Sequence, residues 1–184
     1  METHQLTLAR LILNDKRRLK ILKAVRSESK SSRPLFVAAG FVRNAVWDWL
    51  NDYDESTKLN DVDVIYFDGT ESTDLAANAI EHLLSDAEPA YAWQVKNQAK
   101  MHNRNGDRPY SNIVDAMSFW PEKETAVAVR LTDTDELEVI SAFGLDTLFQ
   151  GQITYNPQRS KEIFLSRVAN KGWCKTWPKL KVVL

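Results

Sequence analysis

Leu59-Asn60-Asp61-Val62-Asp63-Val64-Ile65-Tyr66-Phe67-Asp68 sets two acids inside a run that otherwise reads as a buried strand. Side chains alternate across a strand, so Asp61, Asp63 and Ile65 are expected on one face and Val62, Val64 and Tyr66 on the other. The two carboxylates then project side by side. Like charges held that close repel and are costly to desolvate, and a cation between them relieves both penalties. Mg²⁺ suits the pair, because it binds through one or two carboxylates and completes its octahedron with water and substrate phosphates. An edge strand with one solvated face is the competing reading of an isolated Asp-x-Asp, so the neighbouring elements decide.

Upstream, Pro34 introduces the short apolar run Leu35-Phe36-Val37-Ala38-Ala39, which reads as a buried strand ending at Gly40. Val42, Ala45, Val46, Trp49 and Leu50 then fall at i, i+3, i+4, i+7 and i+8 of an amphipathic helix. The unit is strand, glycine, helix. A glycine there lets backbone amides approach a phosphate, and the helix N-terminus adds donors and a favourable dipole. Arg43, in the first helical turn, is placed for charge-assisted phosphate contacts.

Outward from this unit, the pattern predicts one helix or two over residues 6–26. Downstream it predicts a helix opening at Ser72, Thr73 or Asp74, a strand over 90–98, an exposed loop over 102–109 and a short helix over 113–119. A hairpin over 126–131 and 137–141, a short helix near 144–149, a helix over 160–170 and a Trp- and Pro-bearing tail complete the chain. The expected fold is α+β with a small mixed or antiparallel sheet flanked by helices. Residues 1–184 are expected to form one domain, with a helical segment at 1–33, a catalytic-type core at 34–150 and a C-terminal helix and tail at 151–184.

Hydrophobic residues at 43% and charged residues at 27% are ordinary globular proportions, which argue against a disordered or fibrous chain. No apolar run approaches the roughly 20 residues that span a bilayer, and the start lacks the pattern of a signal peptide. A cytoplasmic location with no membrane partner is expected. The lone Cys174 precludes an intramolecular disulfide and is expected to pack near Trp173 and Trp177. A net charge of −1 offers no global attraction for nucleic acid. Locally basic stretches at 16–26 and 159–181 read either as solvated helix faces or as nucleic-acid contacts. No Cys/His spacing suggests zinc, and neither a Walker loop nor a Gly-x-Ser-x-Gly elbow is present.

The strand, glycine turn, helix and Asp-x-Asp strand together resemble the polymerase-beta-like nucleotidyltransferase superfamily. Gly40-Phe41-Val42-Arg43-Asn44 followed by Asp61-Val62-Asp63 is similar to the Gly-Gly-x-Val-Arg-Asp and Asp-x-Asp motifs of its CCA-adding and poly(A) polymerase branch. The stretches 95–102, Trp120-Pro121-Glu122, 125–130, 142–146 and 177–180 extend the likeness, nearly over the full length, to a small bacterial nucleotidyltransferase-like family. The resemblance implies a polymerase-beta-like fold and Mg²⁺- or Mn²⁺-dependent transfer of a nucleotidyl group from a nucleoside triphosphate to an acceptor hydroxyl. It makes Asp61 and Asp63 the catalytic metal ligands. Nucleotide contacts are then expected from Gly40, Phe41, Arg43 and Asn44, and from Lys96 and Asn97 on the strand that should flank the acids.

The chain departs from the superfamily pattern in three places. Phe41 stands where a second glycine or a serine is common, and Asn44 where the branch often has Asp. The expected flanking strand, Trp93 to Gln98, carries no third carboxylate. Asp115 and Glu138 are the available substitutes for that ligand. His102 is a candidate proton carrier or a structural group. The acceptor is open between an RNA end, a small molecule and a protein hydroxyl. A binding module that has lost catalysis on the same fold is the alternative, and a partner-binding domain anchored by Trp47, Trp120, Trp173 and Trp177, which read equally as core residues, is a third possibility.

Overall fold

A computed structural model describes residues 3–184. The N-terminal segment forms α1 (His4–Leu13) and α2 (Lys16–Glu28). Asp15 separates them by capping the second, accepting from the Arg17 and Arg18 amides. The central unit is β1 (Phe36–Ala38), α3 (Gly40–Leu50) and β2 (Val62–Tyr66), followed by α4 (Leu75–Ala87), β3 (Trp93–Asn97), α5 (Gln98–Asn105) and α6 (Ile113–Met117). The hairpin of β4 (Val127–Leu131) and β5 (Leu137–Ser141) comes next. The chain closes with α7 (Asp146–Phe149), β6 (Gln152–Thr154), α8 (Lys161–Lys171), α9 (Trp173–Thr176) and β7 (Lys181–Val183).

Among the described residues a five-stranded mixed sheet runs in the order β3-β2-β1-β4-β5. Within this sheet the β2–β3 pairing is parallel, with α4 as its crossover, and the other pairings are antiparallel. The register puts Ala38 and Gln94 beside Asp63, and Phe36 and Lys96 beside Ile65. Val37, Val64, Val95 and Val129 face the other way, into the main core with α2, α3 and α4. Among the described residues the hydrophobic cover on the face bearing Asp63 is a small cluster that includes Ala38, Ala128, Ile65 and Met117. Small alanines and thin cover leave room on that face, and the cavity described below opens there.

Three expectations change. The segment expected as a loop over 102–109 is helical through Asn105. Asn97 caps that helix by accepting from the Ala99 amide, and Gly106 ends it at φ 72°, so caps hold a helix that has no apolar stripe. The C-terminal tail carries structure of its own: β7 pairs in parallel with β6. Cys174 is exposed, whereas Trp173 and Trp177 are buried, so it has no packing role. At α4, Asp74 is the N-terminal flanking residue but makes no side-chain cap, because its carboxylate accepts from Lys100 at 2.5 Å.

The C-terminal segment is fastened to the core by aromatics. Trp47 of α3 meets Trp173 and Trp177 edge-on at 5.8 and 5.1 Å between ring centroids. The Trp177 Nε1 donates to the buried Asp48 carboxylate at 2.7 Å. No helix among the described residues is long and apolar enough to cross a membrane.

Candidate active site

The thinly covered sheet face opens into a cavity of about 460 Å³. Asp63 lines it from β2 and Asp61 from the residue just before that strand, with Gln94 and Lys96 from β3. Ala39, Gly40 and Arg43 line it from the start of α3, Arg104 and Asn105 from the end of α5, and Arg167 and Lys171 from α8. Tyr110, Trp120 and Thr125 supply much of the remaining wall. A larger surface concavity lies elsewhere, against Arg10, Trp49 and Glu55; it is wider and shallower and contains neither member of the acid pair.

Burial, and then the neighbouring Asp61 carboxylate, push the Asp63 carboxyl up to about 6, against the opposing pull of Arg43, Lys171 and Arg167. An acid raised in the folded state favours its protonated form there. Across the window from 3.8 to about 6 the folded chain therefore binds more protons than the unfolded one, and stability falls as pH rises. Above that window the penalty is fully present. Asp63→Asn removes it, so without divalent ions the variant is expected to be more stable than the parent at pH 7.5 by about 2 kcal/mol, after allowing for solvent screening. The difference should close towards pH 4. Urea titrations at both pH values check this; equal stability at pH 7.5 would refute it.

Asp61 accepts a hydrogen bond from Gln94 Nε2 at 3.2 Å. The pair offers hard oxygen donors from adjacent same-face positions, a donor set that fits Mg²⁺ or Mn²⁺ with further ligands from water and phosphate. Among the described residues no third carboxylate, His or Cys joins them. Asp115 instead takes a bidentate pair of bonds from Arg108 at 2.7 and 2.8 Å, which with the Ser111 bonds holds its carboxyl far below the usual range. Glu138 pairs with Arg130 at 2.5 Å on the hairpin. Neither lines the cavity.

The turn between β1 and α3 bends at Ala39 rather than at Gly40. Ala39 holds φ 55° and ψ −120°, a strained conformation for a residue with a Cβ. Its amide donates to Val127 O at 3.1 Å, and its carbonyl accepts from Arg43 N at 3.0 Å, which fixes the bend. No side chain caps α3, so its N-terminus is left open beside the cavity. A Cβ built on Gly40 would touch nothing closer than Arg43 Nη2 at 3.7 Å.

Arg43 is 8% exposed. Its guanidinium lies 4.5 Å from the Trp173 ring centroid and 5.2 Å from that of Trp47, and Nη1 donates to Thr125 Oγ1 at 2.8 Å. Burial lowers its pKa to about 10, while Glu122 is the largest opposing influence, so it stays charged at neutral pH. Arg43 is thus a fixed positive wall of the site.

The other expected contacts divide. Lys96 lines the cavity. Phe41 does not; it is 1% exposed in the core, under the Arg18 guanidinium. Asn44 is also outside the lining, and its Oδ1 is buried without a hydrogen-bond partner among the described residues. Asn97 is buried and structural. Its Oδ1 accepts from the Asp68 and Ala99 amides, and its Nδ2 donates to Asp68 O and Glu71, closing the ends of β2 and β3. His102 lies outside the lining too, with Nδ1 2.7 Å from Ala99 O.

The basic stretch over 16–26 is largely engaged elsewhere: Arg18 is buried, Lys20 meets Glu88 at 2.7 Å and Arg26 meets Asp135 at 2.6 Å. From the later stretch, Arg167 and Lys171 reach the cavity, and sequence reasoning had not singled them out. Their i, i+4 spacing on a predicted helix was the available signal.

A mixed sheet with two acids on its open face, following a strand–turn–helix unit that presents a helix N-terminus, defines a polymerase-beta-like nucleotidyltransferase domain. The chain belongs to a nucleotidyltransferase family, whose model matches residues 33–182. It is similar, at 29% identity and a TM-score of 0.79, to an NMR structure described as a CCA-adding enzyme head domain, covering 95% of this chain and 93% of that one. It also resembles a CCA-adding enzyme in complex with CTP, at 14% identity and a TM-score of 0.63. A Thermotoga maritima CCA-adding enzyme complexed with tRNA matches at 16% identity and a TM-score of 0.61. In both cases all of this chain is matched but only 44% of the larger enzyme, and likeness at that identity shows the fold alone. No curated protein matches the chain.

Proposed function

We propose that this protein is a Mg²⁺- or Mn²⁺-dependent nucleotidyltransferase that moves a nucleotidyl group from a nucleoside triphosphate to an acceptor hydroxyl. The observation that carries this reading is the pairing of Asp61 and Asp63 in a cavity whose other charged lining groups are Arg43, Lys96, Arg104, Arg167 and Lys171. Two acids among five cations match a metal-bound polyanion. The acceptor oxygen forms a bond to the α-phosphorus, the bond from that phosphorus to its bridging oxygen breaks, and pyrophosphate departs with the electron pair. The acceptor proton is lost to solvent. Asp61 and Asp63 would hold the divalent ion, which would supply charge neutralisation at the reacting phosphate. The open start of α3 and Gly40 bind phosphate oxygens, and Arg43 fixes their charge.

Incubation with each labelled nucleoside triphosphate, Mg²⁺ or Mn²⁺, and fractionated cell extract tests the reading. A labelled product and released pyrophosphate are expected. Metal-dependent nucleotide binding with no pyrophosphate release from any fraction would instead favour a binding module, for which the absence of a third carboxylate among the described residues speaks.

Gly40→Ala separates folding from binding. The added methyl meets only ordinary contacts inside the protein, so stability should hold. Nucleotide affinity is expected to fall about tenfold, since the methyl occupies the approach to the helix amides. Calorimetric titration checks it, and unchanged affinity would remove Gly40 from the phosphate site.

A further inference from the structure

We infer that α8 supplies the polyphosphate grip: Arg167, oriented by the buried Glu122, and Lys171, one turn further on, bind the terminal phosphates of the nucleoside triphosphate. The inference rests on the nucleotidyl-transfer reading and assigns the part of the substrate that the acid pair does not reach.

Glu122 is 1% exposed and accepts Arg167 Nε at 2.6 Å and Nη2 at 3.2 Å. One edge of the guanidinium is thereby fixed. Its remaining nitrogen, Nη1, makes no hydrogen bond among the described residues and is free for a ligand oxygen. Lys171 lies four residues on, on the same side of the helix, and also lines the cavity. Among the described residues its ammonium has neither an ion pair nor a hydrogen bond. Two other cations of this C-terminal stretch are engaged away from the cavity, Arg159 with Asp107 and Lys179 with Asp52, so Arg167 and Lys171 are the ones it brings to the cavity wall.

The helix presenting them is fixed in place. Phe164 is fully buried beneath it, and Trp173, just past its end, stacks on Arg43. Arg43, Arg167 and Lys171 all oppose the charge-suppressing surroundings of Asp63, so the three cations and the acid pair share one electrostatic neighbourhood. Charge accumulates on the departing pyrophosphate during transfer, and donors fixed in advance stabilise it without reorganising. Glu122 is a positioning residue in this arrangement, and Arg167 and Lys171 are binding residues.

Inorganic tripolyphosphate and Mn²⁺ are the probes, titrated separately and together into the full chain and into Lys171→Met, Arg167→Lys and Glu122→Gln. Each variant is expected to bind tripolyphosphate with Mn²⁺ about tenfold or more weakly, the loss of one charge-assisted contact. Lys171→Met should bind Mn²⁺ alone as tightly as the parent or more so, because a cation near the acids has gone. Lys171 is exposed, so this variant folds even where Glu122→Gln does not. Unchanged tripolyphosphate binding in Lys171→Met and Arg167→Lys overturns the inference, as does a parallel loss of Mn²⁺ and tripolyphosphate. A parent that binds Mn²⁺ but not tripolyphosphate overturns it while sparing the metal site. A parent that binds neither sinks the nucleotidyl-transfer reading and this one with it.

Discussion

Asp61→Asn and Asp63→Asn are each expected to lower nucleotidyl transfer by about a thousandfold or more while leaving the domain folded. The physical reason is the small donor set. With two carboxylates and no third among the described residues, removing either charge halves the protein's contribution to holding a cation. Folding should survive because, among the described residues, neither acid is part of a buried ion pair: Asp61 has the 3.2 Å bond from Gln94, and ionised Asp63 is a burden on the fold. Incorporation of labelled nucleotide, measured beside circular dichroism and urea denaturation, gives the answer. Activity within tenfold of the parent for either variant would remove that residue from catalysis, and full activity of the double variant would sink the metal assignment.

Trp173→Ala is expected to destabilise the domain by about 4 kcal/mol, the range for truncating a buried aromatic, and to lower its thermal midpoint by about 10 °C. Trp173 is 3% exposed, packs edge-on against Trp47 and covers the Arg43 guanidinium at 4.5 Å. Its loss leaves a void and exposes one face of a buried charge. Because the same ring ties α8 and α9 to α3, tripolyphosphate affinity should fall with it. Denaturant melts compare the variant with the parent; a loss below about 1 kcal/mol would show that the C-terminal segment is not fastened through this residue.

The strand–turn–helix unit and the Asp-x-Asp strand were legible because their signals are local. Alternation over residues 61–66 placed Asp63 opposite Val62 and Val64, and the 3.6-residue spacing of Val42, Ala45, Val46 and Trp49 located α3. The family resemblance in the motifs of residues 40–63 agrees with the family that the chain belongs to. Other features were illegible for identifiable reasons. Helix α5 depends on the Asn97 cap and Gly106, which leave no apolar stripe to read. The pairing of β6 with β7 joins strands too short to register as periodicity. Phe41, Asn44 and Asn97 stand in motif positions but turn to the core or outside the cavity, because a helix or strand offers only some of its faces to one site.

By itself the sequence determined that two acids would share a sheet face beside a helix start, since both periodicities are set by backbone geometry and neighbouring residues suffice to show them. Only the tertiary structure decided what surrounds the acids. Trp47, Trp173 and Trp177 draw α8 back over the open face, and Glu122 holds Arg167 there, through contacts across distances along the chain that no local pattern encodes. The same packing half-buries Asp63 beside Asp61, which makes its ionisation costly without a cation.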